Sequence, residues 1–431
     1  MSEENKRLSI LIIPDMLPYP PTDGGKLCVF GLVDYLRKFH QIQMLMYAHS
    51  LSDRENINKL RSEWPDVVIH QAEIFSRQPK TKSTFKKKWK ELFRGIKKSF
   101  KKEREPAAQG QGYELHHSTP FFPHELVFIK QLTTILAQNQ FDIIQTEATH
   151  MLNLVNLFPA AAKKVYVQIE GRGEILYDYG VTHNFDKEYV KHVAGNAKFL
   201  EYAFMSRYDA VLALNETDRN DIDQNTGSDT IVYNSPFGIL DAEIKVPDPD
   251  NYQPENLIFI GAEAHYPNLD ALTWFVTAIV AEFETIPFKK LYVTGHWQKD
   301  TQLRLTKHLN SLEFIGFVDD LAPYLKNSVS ISPVRIGGGG IRTKILSSMA
   351  QGVPVVATPL SAVGIKGTSG RELFIEDNAK DFASAISRLF ADQSLAKTIG
   401  ANAYQLVVDE YSQSTVGAKR NKIYQEICKT Y

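Results

Sequence analysis

The sequence has few cysteines, no long apolar run and almost no net charge, and each shortage excludes a class of protein. Its 431 residues include two cysteines, Cys28 and Cys428, which are too few for a disulfide framework. No CxxC pair or Cys/His cluster indicates structural zinc. Sparse cysteine favours a reducing compartment, so we expect a cytoplasmic protein.

Membrane spans and export signals are equally hard to find. No apolar run approaches the roughly eighteen residues that a membrane-spanning helix needs. The first apolar run covers only residues 8–13 and follows an acidic flank, unlike a signal peptide. The net charge of −1 argues against a protein that binds nucleic acid over its whole surface. With 43% hydrophobic residues, the chain suits two or three globular domains.

One segment departs from this balance of charge. Lys80 to Arg104 contains twelve lysines and arginines and two glutamates, so its net charge is +10, and the rest of the chain has a net charge of −11. Five large apolar residues recur there at helical spacing: Phe85, Trp89, Phe93, Ile96 and Phe100. A basic amphipathic helix of this kind predicts peripheral association with an anionic membrane. Docking on its own domain is the main alternative, and nucleic-acid binding is the weakest one.

Short apolar runs alternate with helical stretches along the chain, which predicts parallel β-sheets covered by helices. In the first half the predicted strands are Leu8–Ile13, Ile42–Tyr47, Val67–Ile69, Phe141–Gln145, Val165–Ile169, Ala210–Leu214 and Ile231–Tyr233. In the second half they are Leu257–Gly261, Leu291–Thr294, Leu312–Phe317, Val329–Ser332, Val353–Thr358 and Leu373–Glu376. Two such series predict an α/β protein with two doubly wound, Rossmann-like domains that face a cleft.

A stretch rich in proline and aspartate separates the two series. It runs from Pro236 to Pro254 and is typical of a linker. We therefore expect a first domain over residues 1–238, with the basic insertion at 76–125, and a second over 239–408. The last helical stretch, 409–431, is expected to pack back onto the first domain.

Two glycine-rich segments follow predicted strands. PYPPTDGGK, residues 18–26, brings Gly24 and Gly25 to the start of a helix, where free N–H groups favour anions. By itself this pair also suits an ordinary tight turn. RIGGGGIRTKIL, residues 335–346, is more specific, because four glycines precede a helical turn that carries Arg342 and Lys344. Cations there oppose the helix dipole, which indicates a bound phosphate. No GK[ST] follows, which argues against an NTPase.

The second glycine segment, with SSMAQG and VPVVAT after it, resembles the donor-nucleotide motif of retaining GT-B glycosyltransferases of the family-four, group 1 type. DGGK, FDIIQTEATHML, AVLALNETDRNDI and FIGAEAHYPNLDALTWFV resemble further parts of that family. The resemblance leaves out only residues 76–125. It implies transfer of a sugar from a nucleoside diphosphate sugar to a hydroxyl acceptor, with neither a metal nor another cofactor.

The resemblance also implies roles for individual residues. Arg342 and Lys344 would hold the diphosphate, Gly339, Gly340 and Ile341 would bring the backbone onto it, and Gly24 and Gly25 would line the opposite wall. Ser347 stands where the family has a glutamate that binds the ribose, and Glu372 aligns with a position near the donor sugar. Relatives also carry an Arg and a Lys where this chain has Ala262 and Pro267.

Two carboxylates follow predicted strands of the first domain. Glu147 and Glu170 could each orient the acceptor hydroxyl or act as base, or could merely cap the next helix. The family's histidine in this region has no clear match; Glu170 and His183 are the nearest polar residues. Asp248 and Asp250 flank Pro249 and are typical turn residues, so we expect no metal site.

The leading hypothesis is a membrane-associated glycosyltransferase that extends a lipid-linked or surface glycan and binds no nucleic acid. A GT-B isomerase or hydrolase of nucleotide sugars would instead need no acceptor. A non-catalytic binding subunit is the third hypothesis, and Ser347 favours it.

Overall fold

The computed structural model describes residues 6–22, 24–74, 123–248, 250, 252–318, 320–337 and 340–429. The basic segment Lys80–Arg104 and Gly339 lie outside these ranges, so the expectations about them stay predictions. The same holds for Pro249.

Seven parallel strands within the described residues form the first sheet, in the order β3-β2-β1-β4-β5-β6-β7. They are β1 (Ser9–Ile13), β2 (Gln41–Ala48), β3 (Val68–Glu73), β4 (Ile143–Glu147), β5 (Lys163–Gln168), β6 (Ala210–Ala213) and β7 (Ile231–Asn234). The helices are α1 (Gly24–Leu36), α2 (Leu51–Glu63), α3 (Leu126–Gln138), α4 (Arg172–Thr182), α5 (Lys187–Met205) and α6 (Glu216–Asn225), with a 3₁₀ segment at Thr149–Leu157.

The second sheet is also parallel and has the order β10-β9-β8-β11-β12-β13. Its strands are β8 (Asn256–Phe259), β9 (Leu291–Thr294), β10 (Leu312–Gly316), β11 (Ser328–Ser332), β12 (Val355–Ala357) and β13 (Phe374–Ile375). The helices are α7 (Tyr266–Trp274), α8 (Lys299–Thr306), α9 (Ala322–Leu325), α10 (Thr343–Met349), α11 (Ala379–Ala391), α12 (Gln393–Leu406) and α13 (Gln413–Lys429). Short 3₁₀ turns lie at Asp241–Glu243 and Val280–Glu282, and π-helical turns at Phe275–Ile279 and Val407–Tyr411.

The two sheets confirm the predicted pair of doubly wound domains, and each predicted strand overlaps an observed one. The pattern worked because the strands are buried on both faces: β4 and β11, for example, are buried at every position. Separate apolar clusters fill the two faces of each sheet. In an open α/β sheet, ligands bind beyond the carboxyl ends of the strands.

The C-terminal helix α13 crosses back to the first domain, as expected. It begins at Gln413, whose side-chain amide donates to the Gly31 carbonyl of α1 at 2.8 Å. Further along, the Asn421 amide oxygen lies 2.8 Å from His40 Nε2. A Cβ at Gly417 would overlap the ring of Tyr35, so α13 and α1 pack closely because this residue is glycine. The second domain is thereby tied to the first beside the linker, where Ile239 forms a β-bridge with Ser412.

No helix in the described ranges is long and apolar enough to cross a membrane.

Candidate active site

The N-terminus of α10 carries the two cations of the glycine-rich segment. Arg342 is the residue that precedes the helix, and Lys344 lies in its first turn. Gly340 has a φ of +120°, a conformation that side chains rarely adopt, and the position of its missing Cβ is 3.7 Å from the Ile169 carbonyl oxygen of the first domain. Glycine therefore allows the loop to turn sharply where the two domains meet.

The start of α1 faces the start of α10. Gly24 is the first residue of α1, and a Cβ at this position would overlap the hydroxyl of Thr343. Gly25 follows it within the same helical turn. Two helix N-termini, one from each domain, thus converge on one place, and the free N–H groups of both favour an anion there.

Lys344 is held by groups of its own domain. Its ammonium donates to the side-chain oxygen of Asn268 at 2.8 Å and lies 5.3 Å from the centre of the Phe259 ring. Burial, and to a smaller extent the charge of the neighbouring Arg342, lowers the pKa of Lys344 to about 7. A bound anion would reverse this effect, because it offsets the repulsion between the two cations.

Carboxylates of the first domain approach Arg342 from the other side. Glu170 and Asp178 both interact electrostatically with its guanidinium, whose own pKa burial lowers. Glu170 follows β5 and is exposed, whereas Asp178 is half-buried on α4. The structure therefore brings Glu170, Arg342, Lys344, Gly24 and the Gly340 turn together at the domain interface.

A buried glutamate that the sequence analysis missed fixes the loop of Glu170. Glu201 on α5 is 2% exposed, and its carboxylate accepts from the Thr149 hydroxyl at 2.8 Å. It also accepts from the amides of Arg172 and Gly173, at 2.8 and 3.1 Å, at the start of α4. These bonds connect the segments that follow β4 and β5. No local pattern distinguishes Glu201 from the other charged residues of α5.

Glu147, in contrast, is not part of this cluster. It is 1% exposed within the core, where one carboxylate oxygen accepts from the Gln145 amide at 2.8 Å. Burial raises its pKa to about 7, against the attraction of Arg420 on α13. Tyr424 of the same helix donates to the side-chain oxygen of Gln145. This glutamate belongs to the polar contact between the first sheet and α13.

The remaining site residues of the sequence analysis lie on the second domain. Ile341 packs beside Gly364, at a point where Asn215 of the first domain also approaches. Ser347 is half-buried on α10. Glu372 is 8% exposed, and its contacts are within its own loop: its carboxylate accepts a hydrogen bond from the Thr368 amide at 2.9 Å and pairs with Arg371.

A histidine and an aspartate that the sequence analysis passed over meet at the carboxyl edge of the first sheet. His150 Nδ1, after β4, lies 2.8 Å from the Asp15 carboxylate, after β1. Thr149, the preceding residue, reaches the Glu170 carbonyl at 3.4 Å. His150 was detectable by the same criterion that selected Glu147, since both are polar residues at the end of β4. A carboxylate-oriented imidazole here could accept a proton from a hydroxyl.

No group of three or more His, Cys, Asp or Glu side chains suited to a metal ion occurs in the part of the chain that the structure describes.

Comparison with known families and structures points to sugar transfer. Residues 254–392 match the family model "Glycosyl transferases group 1". An uncharacterized 44.6 kDa protein in the cps region of Klebsiella pneumoniae is 20% identical over 430 residues, which covers 94% of this chain and 97% of that protein.

Several solved structures share the fold over nearly the whole chain. The TarM crystal structure superimposes with a TM-score of 0.66 at 12% identity, covering 97% of this chain and 99% of TarM. A mutant of S. aureus TarM has been solved with fondaparinux, α-GlcNAc-glycerol and UDP. Anabaena Alr3699/HepE in complex with UDP-glucose has a TM-score of 0.57 at 14% identity, covering 97% of this chain and all of the HepE chain. At these identities the likeness establishes the GT-B fold.

Proposed function

We propose that this chain, a glycosyltransferase of the GT-B fold with a group 1 domain at residues 254–392, transfers a sugar from a nucleoside diphosphate sugar to a hydroxyl of a glycan acceptor. The observation that carries the proposal is the pair Arg342 and Lys344 at the start of α10, opposite Gly24 at the start of α1. Two adjacent cations and two helix N-termini suit a diphosphate.

The reaction needs stabilisation of the charge that develops on the departing diphosphate. Preorganised donors aimed at such charge commonly make the greatest single contribution to catalysis. Arg342, Lys344 and the N–H groups at the two helix starts provide them, so the proposed transfer uses no metal ion. Retention of configuration is the stereochemistry we propose, from the resemblance of the glycine-rich segment to retaining GT-B enzymes.

The acceptor would bind on the first domain. Glu170 is exposed beside Arg342, and His150 is held by Asp15 at the same edge of the sheet. Either could orient the attacking hydroxyl. Glu147 is too deeply buried to reach it. TarM and HepE have been solved with UDP or UDP-glucose, and the Klebsiella relative lies in a cps region; together these support a nucleotide-sugar donor and a polysaccharide product.

The test is a calorimetric panel of UDP, GDP, TDP and ADP, followed by transfer assays with the corresponding sugars. We expect one nucleotide to bind wild type and to bind Arg342→Ala about 10- to 150-fold more weakly, the effect of losing about 1.5 to 3 kcal/mol of charge-assisted bonding. Arg335→Ala is the matched control, because Arg335 lies in the same segment but pairs with Asp270 at 3.1 Å. Equal affinity in wild type and Arg342→Ala would refute the site.

The same assays separate the rival functions. Donor hydrolysis or isomerisation without any acceptor-dependent product would indicate a nucleotide-sugar hydrolase or isomerase. The absence of nucleotide binding would favour the non-catalytic subunit, for which Ser347 in place of the family glutamate is the specific observation.

Association with an anionic membrane through Lys80–Arg104 is part of the proposal. It rests on the sequence, namely the net charge of +10 and the aromatic face. We expect the full chain to sediment with vesicles that contain phosphatidylserine and to be released at 1 M salt, where the screening length falls to about 3 Å. Equal binding to neutral vesicles would contradict it.

A further inference from the structure

An open cavity of about 410 Å³ lies between α4 and α5 of the first domain and the glycine loop of the second. Tyr177 and Asp178 form the α4 side, Lys191 and Gly195 the α5 side, and Gly337 contributes from the loop. The cavity therefore adjoins the diphosphate site but is separate from it. Its volume falls within the range of about 300 to 1,000 Å³ that is usual for small-molecule sites.

The side chains around the cavity suit a polyhydroxylated ligand better than a second phosphate. The lining pairs the carboxylates of Glu174 and Asp178 with two lysine ammonium groups, so it has no excess of positive charge for an anion, whereas both kinds of group bind sugar hydroxyls. Tyr177 is 44% exposed and presents an aromatic face to a neutral ring. Asp178 interacts with Arg342, so one carboxylate connects the cavity to the cation that faces the departing diphosphate.

A row of aromatic rings continues from the cavity across the domain boundary. Tyr179 stacks on His183 with ring centres 4.0 Å apart, and His183 lies 6.3 Å from Tyr266 of the second domain. Tyr179 and Tyr266 are 41% and 46% exposed. Pro267, next to Tyr266, contacts the position of a Cβ on Gly337 at 2.9 Å. The aromatic row and the cavity thus share a border.

We propose that this cavity binds a sugar unit of the acceptor glycan and that the aromatic row supports the next unit. The inference rests on the proposed function, since it identifies where that reaction's acceptor lies. Tyr177 stacks on the sugar ring, and the carboxylates and Lys191 bind its hydroxyls.

Gly195 offers a clean way to fill the cavity. Among the residues that the structure describes, and apart from its own helix backbone, no heavy atom lies within 4 Å of the position that its Cβ would occupy, so a large side chain enters open space. Replacing glycine inside a helix also favours the helix. Gly195→Trp should therefore fold normally and occupy the cavity. Gly227→Trp is the matched control, because among the described residues a Cβ there meets Ser206 alone, at 4.0 Å, and Gly227 is not one of the residues that line the cavity.

The experiment measures binding of six methyl glycosides to the full chain in saturating nucleotide, by ligand-detected NMR: those of glucose, galactose, mannose, rhamnose, N-acetylglucosamine and glucuronic acid. We expect at least one to bind wild type and Gly227→Trp alike and to lose tenfold or more in affinity in Gly195→Trp. Tyr177→Ala should weaken the same glycoside, and Tyr177→Phe should restore it.

Nucleotide affinity should stay unchanged in all four variants, which distinguishes this inference from the proposed function. If nucleotide binds but no glycoside does, or if Gly195→Trp binds every glycoside as wild type does, the cavity is not an acceptor site. If nucleotide does not bind wild type, the proposed function itself fails. Glycoside binding that Gly195→Trp abolishes would still establish a sugar site there.

Discussion

The chain places charged groups in two regions, beneath α13 and between the domains, and the two differ in what surrounds the charge. Beneath α13, the Arg420 guanidinium is fully buried and donates to the hydroxyl and carbonyl of Ser235, at 2.7 and 3.3 Å. Between the domains, Arg342 and Lys344 lie next to each other, and Glu170 is exposed nearby. The first region is closed by the protein, whereas the second leaves room for a ligand.

The difference shows why a polar residue at the end of a strand does not by itself define a site. Glu147 and Glu170 lie at the ends of neighbouring parallel strands, and in the sequence each comes directly after an apolar run. The C-terminal helix covers Glu147 and supplies Arg420 and Tyr424, so this carboxylate is enclosed at the junction of α13 with the sheet. Within the described part of the chain no such helix covers Glu170, which lies at the interface with Arg342.

The largest expected effect is a loss of stability in the region beneath α13, while nucleotide binding between the domains should be nearly unchanged. Arg420→Ala should lower the free energy of unfolding by about 3 kcal/mol, because it removes charge-assisted bonds to Ser235 and leaves a cavity. Nucleotide affinity should change less than twofold. Urea unfolding and calorimetry measure the two quantities.

Lys419→Ala is the control for Arg420→Ala. Lys419 precedes Arg420 but forms a surface ion pair with Glu410, so its loss should cost less than about 1 kcal/mol. A stable Arg420→Ala that no longer binds nucleotide would reverse the assignment of the two regions.

The second prediction concerns the pH dependence of stability that the buried carboxylate of Glu147 should cause. Its pKa of about 7 in the folded protein lies above the ordinary value, so its contribution favours folding at low pH and is lost as pH rises through 7. Relative to Glu147→Gln, wild type should lose on the order of 1 kcal/mol of unfolding free energy between pH 6 and 8. Urea unfolding at both pH values measures it. Glu170→Gln should show a smaller change in the same direction, because burial raises the pKa of Glu170 as well; an equal or larger change in Glu170→Gln would contradict the comparison.

The third prediction concerns Lys344 in the open region. Because its pKa is about 7 in the free protein, only part of the lysine is charged at neutral pH. A nucleoside diphosphate sugar has fully ionised phosphates and should bind roughly tenfold more weakly at pH 8 than at pH 6, as the ammonium loses its proton. Lys344→Arg keeps its charge at both pH values, so its affinity should be flat. A flat wild-type profile would place the diphosphate away from Lys344.

The smallest expected effect tests whether the nucleotide site between the domains extends as far as Ser347. Ser347→Glu should tighten binding of the best nucleotide by about 1 kcal/mol, because a carboxylate accepts bonds from both ribose hydroxyls and a serine cannot. Calorimetric titration compares the two proteins, with Ser347→Gln as the uncharged control of similar length. Weaker binding by the glutamate variant would mean that the ribose does not lie beside residue 347.

Much of the fold was predictable because the strands of both parallel sheets are buried on both faces and appear as short apolar runs. The position of Arg342 and Lys344 was predictable too, since strand, glycines and helix are adjacent in the sequence. Asp178, Asn268 and Glu201 were not, because each meets the site through contacts between segments that are far apart in the chain.

The sequence by itself determined the two α/β domains and the glycine-rich turn with its two cations. Local periodicity and short-range spacing encode these features directly. Only the tertiary structure decided that Glu147 is enclosed while Glu170 faces Arg342, and that Gly24 meets Thr343. Those outcomes depend on how α13 and the second domain pack against the first sheet. Such contacts join segments that are far apart in the chain, so the residues next to each glutamate or glycine do not indicate them.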